Sequence, residues 1–278
     1  QAKRESGKNF KIIEYPNLLP KSLFQNITLG FDPKLFTKSQ MQFFFGNRIK
    51  LIPITKNLID KLKKINIKDN HPYYSLPSAV AGKTHKNKIS LVTNIIKKNR
   101  SDYLFISAPE NVAWLLNIRG SDIPFSPIPN CNCLIGKNKE IFLIAEKNKL
   151  KNLICEKKLL NHQVVDPKNF EALFKSLKGK NIIIDSRTCS IFSENIIIKK
   201  FNIKKKEDPC YLLKSKKNPS EIKNMIKSHI EDGVALTKFL FWIKNKNNSS
   251  LTELNAEKKL EQFRKKSKNY LYPSFNTI

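Results

Sequence analysis

The sequence predicts an α/β fold with a mixed sheet. Short apolar runs alternate with helical segments from Lys83 to Lys199, the pattern of a layered sheet-and-helix domain. Two of those runs, Cys131–Ile135 and Ile141–Ala145, flank a Gly136-Lys-Asn-Lys turn and read as a hairpin, which supplies the antiparallel part. Hydrophobic residues make up 40% of the chain and aromatics 10%, enough for a sizeable core despite the charge. The 278 residues fit roughly two domains of about 150 residues each.

Asp32-Pro33 reads as a helix start, with Asp as cap and Pro at the first helical position, and helical spacing runs to about Phe45. Gly46-Asn47 breaks it, Ile49–Ile54 reads as a short strand, and Asn57–Ile65 as a helix. Residues Asn66 to Gly82 are rich in Pro, Asp, Asn, Ser and Gly and read as an interdomain linker. Lys83 to Asn99 is a basic amphipathic helix with Ile89, Val92, Ile95 and Ile96 on one face. A buried strand at Tyr103–Ser107 and a helix at Pro109–Leu116 follow, then an irregular stretch, Asn117–Asp122, and a Pro-rich segment. Beyond the hairpin, a helix at 146–160, a strand at 163–166, a helix at 168–177 and a strand at 181–185 continue the alternation, and Ile196–Lys199 closes the block. Asn218-Pro-Ser-Glu221 is a capping box that opens a long helix to about Lys246, with Ile222, Ile226, Ile230, Val234, Thr237 and Phe241 on one face. Asn247-Asn-Ser-Ser is a loop, and Thr252 starts a second helix with Leu260 and Phe263 on one side. Two helices and a short stub do not complete a layer, so this region reads as the opening of a further domain.

The charge is 52 − 23 = +29, and only six of the 52 basic residues are Arg, leaving 46 Lys. Those Lys are spread along the whole chain together with abundant Asn and Ile, which reads as compositional drift and a solvated surface. Nucleic-acid binders concentrate Arg and aromatics on one element, because Arg grips phosphate bidentately and stacks on bases. No specific nucleic-acid site is expected, only salt-sensitive attraction to polyanions. No apolar run reaches the roughly 18–20 residues of a membrane helix. The five cysteines are odd in number and none are spaced C-x-x-C, which points to a reducing, cytoplasmic compartment. The four histidines are scattered, so no structural zinc site is expected.

H-E-x-x-H, G-x-S-x-G, Walker and G-x-G-x-x-G motifs are all absent. His229 lies beside Glu231 and Asp232, but adjacent carboxylates on a helix point in different directions and form no dyad. The most individual stretch is Trp114-Leu-Leu-Asn-Ile-Arg-Gly-Ser-Asp-Ile123, which brings Arg119 and Asp122 close in sequence. These two are the candidate substrate-binding or structural residues. The structural reading is a local Arg–Asp pair that organises a helix exit at a domain junction.

Phe105-Ile-Ser-Ala-Pro-Glu-Asn-Val-Ala-Trp-Leu-Leu-Asn-Ile-Arg-Gly-Ser-Asp-Ile-Pro124 resembles the signature of long-form Xaa-Pro aminopeptidases (aminopeptidase P). Lys214–Ile222, His229–Leu236, Leu251-Thr-Glu253, Glu257–Glu261, Arg264 and Ser274-Phe-Asn-Thr-Ile278 resemble that family's entry into its catalytic domain. Gln1-Ala2, Leu29–Thr37 and Asn57-Leu-Ile-Asp60 resemble the second half of its N-terminal domain. One departure sits at Lys68–Tyr74, where relatives tend to carry a Trp-Asp-x-Arg-Pro-like run.

The resemblance implies a creatinase N-terminal-like mixed-sheet domain at 83–212. Before it, 1–72 would be the second half of a domain of the same type. After it, 213–278 would be the first helices of a pita-bread metallopeptidase domain. It implies a homodimer acting on peptides with an N-terminal Xaa-Pro sequence. The bond cut precedes Pro, whose missing N–H makes it a poor substrate for proteases that recognise a backbone N–H there. The family binds two divalent metal ions, usually manganese, through two Asp, one His and two Glu that follow the Ser-Phe-Asn-Thr-Ile motif. This sequence has no Asp after Asp232 and no His after His229, so none of those ligands transfers to a residue here. The chain is therefore expected to be a fragment truncated at both ends, without catalytic or metal-binding residues and inactive alone. A non-catalytic creatinase-type protein that binds a partner or a polyanion is the alternative. Prolidase, another pita-bread enzyme, fits less well with the long front and the Trp114–Asp122 signature.

Overall fold

The computed structural model describes residues 2–9, 12, 19–24, 26–54, 56–62, 71–246 and 251–275. Its centre is a six-stranded mixed sheet. The strands are β4 (Tyr103–Ile106), β6 (Asn132–Gly136), β7 (Ile141–Ile144), β8 (Val164–Val165), β9 (Asn181–Ile184) and β10 (Asn202–Lys205), in the spatial order β10-β9-β4-β6-β7-β8. β10, β9 and β4 run parallel, β6 pairs antiparallel with both β4 and β7, and β8 returns parallel to β7. The hairpin supplies the antiparallel part of the sheet, as the apolar runs predict.

Strand alternation sends side chains to two cores, one on each face of the sheet. Leu104 and Ile106, Cys133 and Ile135, and Ile183 join Ile89, Val92 and Ile96 of the His85–Lys98 helix on one face. Tyr103 and Phe105, Leu134, and Ile182 and Ile184 face the other way, onto the helices Phe170–Ser176 and Ile191–Ile197. There Phe105 packs edge-on against Phe170 and Phe174, with ring centroids 5.6 and 5.9 Å away.

Two strands, β1 (Thr28–Phe31) and β2 (Lys50–Pro53), form a separate parallel sheet. It is joined to the larger unit by backbone bonds from Ile191 to Phe36 (2.8 Å) and from Phe192 to Pro33 (2.9 Å). At the other end lie the helices Pro219–Lys244 and Glu253–Arg264. The capping box is formed as read: Asn218 Oδ1 accepts from Glu221 N at 3.1 Å, and Glu221 Oε2 accepts from Asn218 N at 2.9 Å.

Several elements differ from the sequence reading. Asp32 caps only a turn, its Oδ1 accepting from Lys34 N at 2.9 Å, and the helix begins at Lys38. Thr37 is the true cap, since it and Gln40 form a reciprocal capping box that outcompetes Asp-Pro. The supposed linker carries structure: β3 (Tyr74–Ser75) pairs antiparallel with β5 (Ile118–Arg119), and Ser78–Ala81 is a short helix. Residues 63–70, within the predicted helix and linker, and the loop 247–250 lie outside the described residues. The predicted helix at 146–160 is a 3-10 turn and one short helix, Lys151–Cys155. Ile196 and Ile197 end a helix, and the block is closed instead by β10, an edge strand of sequence Asn-Ile-Lys-Lys without an apolar signature.

Candidate functional site: the junction cleft

The helix Pro109–Leu116 ends at Asn117, whose φ of 50° lies in the left-handed region that Asn tolerates better than most residues. That reversal directs the chain back as β5, which pairs Arg119 with Tyr74 and Ile118 with Ser75. Gly120 follows because there is no room for more: a Cβ there would lie 2.9 Å from Pro129 Cα and 2.9 Å from Tyr73 Cδ1.

The structure places Arg119 and Asp122 apart in function, which corrects the predicted local pair. Arg119 Nη1 donates to the carbonyls of Ala113 (3.2 Å) and Ile118 (2.8 Å), closing the exit of the Pro109–Leu116 helix. Burial lowers the pKa of its guanidinium. Asp122 instead gathers three other groups. It accepts from Tyr73 Oη (2.8 Å) and the Asn130 amide (2.5 Å), and Lys149 Nζ makes an ion pair with it. Tyr73 is completely buried, and burial together with the Asp122 bond pushes its phenol well above the usual range. Asp122 therefore stitches the Pro-rich segment to Tyr73, the residue just before β3.

A group that the sequence reading missed sits beneath this loop. Lys88 is 2% exposed, and its Nζ donates to Asn117 Oδ1 (2.7 Å) and the Trp114 carbonyl (2.9 Å). The ammonium also lies 4.4 Å from the centroid of the Trp114 ring. Burial pushes its pKa down to about 8, against the opposing pull of the Glu221 carboxylate. Lys158 Nζ holds the Asn117 backbone carbonyl at 2.8 Å, and Asn117 Nδ2 reaches the Lys83 carbonyl at 2.8 Å. The only sequence signal for Lys88 is its place one residue before the apolar face of a helix rich in solvated Lys, which gives no way to single it out.

These groups line a cleft of about 240 Å³ between the signature loop and the start of the long helix, with Trp114, Asn117 and Arg119 on one wall and Glu221, Asn224 and Met225 on the other. Asn218 Nδ2 donates to the Ala81 carbonyl at 2.9 Å, and Asn224 Nδ2 to Val80 at 3.3 Å, fixing the angle of the helix. Further along, Glu231 accepts from Ser267 Oγ (2.6 Å), while Asp232 takes a bidentate bond from Arg264 (2.7 and 3.2 Å). Their different partners agree with the absence of a dyad. His229 is exposed and hydrogen-bonded to the Met225 carbonyl at 2.8 Å.

Residues 66–221, more than half of the chain, match the Creatinase/Prolidase N-terminal domain family. The chain belongs to this family. It is also similar to Xaa-Pro aminopeptidase 1 of Dictyostelium discoideum, with 30% identity across all of this chain and 48% of that protein. Xaa-Pro aminopeptidase ApepP of Drosophila melanogaster is 30% identical over 94% of this chain and 44% of its own length. The chain thus spans about half the length of the curated relatives it matches. Among solved structures, an X-prolyl aminopeptidase from Caenorhabditis elegans, described as a cytosolic enzyme with a di-nuclear active site, superposes with a TM-score of 0.80. That likeness covers 96% of this chain and 45% of the other at 23% identity, and it shows the creatinase-type fold.

The di-nuclear centre of that enzyme does not fit the residues described here. Among them no group of three or more His, Cys, Asp and Glu is arranged to hold a metal ion. No helix among them is long and apolar enough to cross a membrane.

Proposed function

We propose that this chain is the amino-terminal scaffold of an Xaa-Pro aminopeptidase, a cytosolic, homodimeric metallopeptidase that releases the first residue of peptides with proline second. The observation that carries this reading is the uncovered apolar face of the helix Pro219–Lys244. Ile222, Ile226, Ile230, Val234 and Phe241 lie along it at helical spacing, and Ile230 and Phe241 are 63% and 73% exposed. Covering such side chains is worth about 1.5–3 kcal/mol each, so a helix of this kind is built to carry another body. The relatives are about twice as long, which supports reading that body as the peptidase domain.

On this reading the chain's own residues do no bond chemistry. Tyr73, Asp122 and Lys149 fix the Pro-rich segment, and Lys88 and Arg119 fix the loop over the cleft. Asn218 and Asn224 then set where the first catalytic-domain helix leaves the scaffold. Arg119 and Asp122 are positioning residues in this proposal.

The test compares two proteins: the 278-residue chain and the product of the reading frame continued past Ile278. The longer product, supplied with Mn²⁺, should release the first residue from Xaa-Pro peptides and leave peptides without proline second intact. The shorter one should neither bind Mn²⁺ nor cleave. Hydrolysis by the shorter chain would overturn the scaffold assignment, and an inert longer product would overturn the peptidase assignment.

A further inference from the structure

Away from the junction, a groove of about 380 Å³ lies between the first turns of the His85–Lys98 helix, the β6–β7 turn and residues 157–163. Its floor is Ile89, Leu116, Ile118, Ile141 and Leu159, all buried and all members of the larger core. Its rim carries His85, Lys86, Lys139, Lys157 and Lys158. No Asp or Glu lines it among the described residues. A Lys-rich composition alone does not produce this, because other cavities of the same chain include carboxylates: Glu221 in the junction cleft, Glu231 between the last two helices, and Asp32 and Asp60 beyond β1 and β2.

Three of the rim lysines are unpaired: among the described residues no ion pair holds Lys86, Lys139 or Lys157, and Lys158 Nζ is bonded only to neutral oxygens, Asn117 O (2.8 Å) and Ser75 Oγ (3.1 Å). Glu156 is bonded to the same Ser75 Oγ and its charge acts on Lys158, which leaves Lys86, Lys139 and Lys157 as the rim cations without a carboxylate partner. Burial, with the nearby charges of Lys158 and Lys86, holds His85 below its usual pKa. Lys139 and Lys157 also sit at φ 71° and 54°, a backbone region that costs an ordinary side chain about 1 kcal/mol. An apolar groove edged by three unpaired ammonium groups is complementary to a molecule with an apolar body and an anionic head.

We propose that this groove binds a small amphipathic carboxylate, its hydrocarbon body against Leu160 and the accessible edges of Ile89 and Ile141 and its carboxylate among the ammonium groups of Lys86, Lys139 and Lys157. Both halves are needed. A bare anion gains only a screened surface attraction, and a neutral chain gains only the floor.

Decanoate below its micelle concentration, titrated calorimetrically into the 278-residue chain at physiological ionic strength, tests this. Acetate and decanol serve as the half-ligands, and labelled Ile methyl groups report the location by NMR. One site is expected for decanoate, with methyl shifts centred on Ile89 and Ile141. Acetate and decanol should each bind at least about tenfold more weakly, a difference of about 1.4 kcal/mol. The double variant Lys86→Glu, Lys157→Glu changes two exposed side chains and should weaken decanoate by about tenfold or more with thermal unfolding unchanged. Many weak sites indifferent to this variant would mean general attraction to a chain of charge +29, and would overturn the proposal. So would equal binding of decanol, or shifts centred elsewhere on the protein. Should the variant unfold, the wild-type methyl map and the decanol comparison still decide the matter.

Discussion

At 2% exposure, Lys88 exchanges its hydration for two protein oxygens and the face of Trp114. The exchange is incomplete, and burial leaves its folded pKa at about 8 against an ordinary 10.5. Below about pH 8 both the folded and the unfolded chain carry this proton, and the cost of burying the charge is fully present. Between about 8 and 10.5 the unfolded chain binds more protons, so this residue's contribution makes stability rise with pH. The stability of the wild type relative to Lys88→Met should therefore increase by about 2 kcal/mol from about pH 7 to about pH 9.5 in urea unfolding. A flat difference would show that the ammonium is hydrated after all. Asp122 presents the opposite case, a carboxylate whose three partners are all drawn from other segments. Asp122→Ala strands Lys149 in a nearly buried position and removes the anchor of Tyr73, and should cost about 3 kcal/mol in the same measurement.

Among the elements, the start of the long helix bears the most constraint. Asn218 closes the capping box and at the same time bonds Ala81, while Gly82 opposite has φ 68° and no space for a Cβ, which would fall 2.0 Å from Asn218 Oδ1. Asn218→Ala should lower stability by about 1–2 kcal/mol and speed amide exchange in the first turn of the helix more than at its far end. If exchange rises evenly along the helix, the cap is not what docks it. Gly82→Ala should be the more damaging change, because the left-handed backbone and the contact with Asn218 both oppose it.

For the whole molecule, the two cores and the exposed helix face behave differently. The cores hold the sheet, whereas Ile230 and Phe241 are mostly exposed and belong to neither core. Ile230→Glu with Phe241→Glu should leave the unfolding free energy of this chain within about 0.5 kcal/mol. The same double change should abolish co-purification with a separately expressed peptidase domain from the extended reading frame. Retained co-purification would place the docking surface elsewhere.

The sequence by itself determined the sheet-and-helix alternation, the hairpin, the amphipathic His85–Lys98 helix and the capped Pro219–Lys244 helix. Each of these rests on local periodicity or on a cap within a few residues, and such signals survive without tertiary context. The Trp114–Asp122 stretch was legible as a special loop, but its bonding was not. Arg119 and Asp122 are three positions apart in sequence, yet one turns to Ala113 and the other to Tyr73 and Lys149. The edge strand Asn202–Lys205, the pairing of Tyr74 with Arg119, the burial of Lys88 and the lysine rim of the carboxylate-free groove are likewise products of long-range packing. A lysine's pattern in the chain is the same whether it meets water or a tryptophan face, and only the assembled layers decide which.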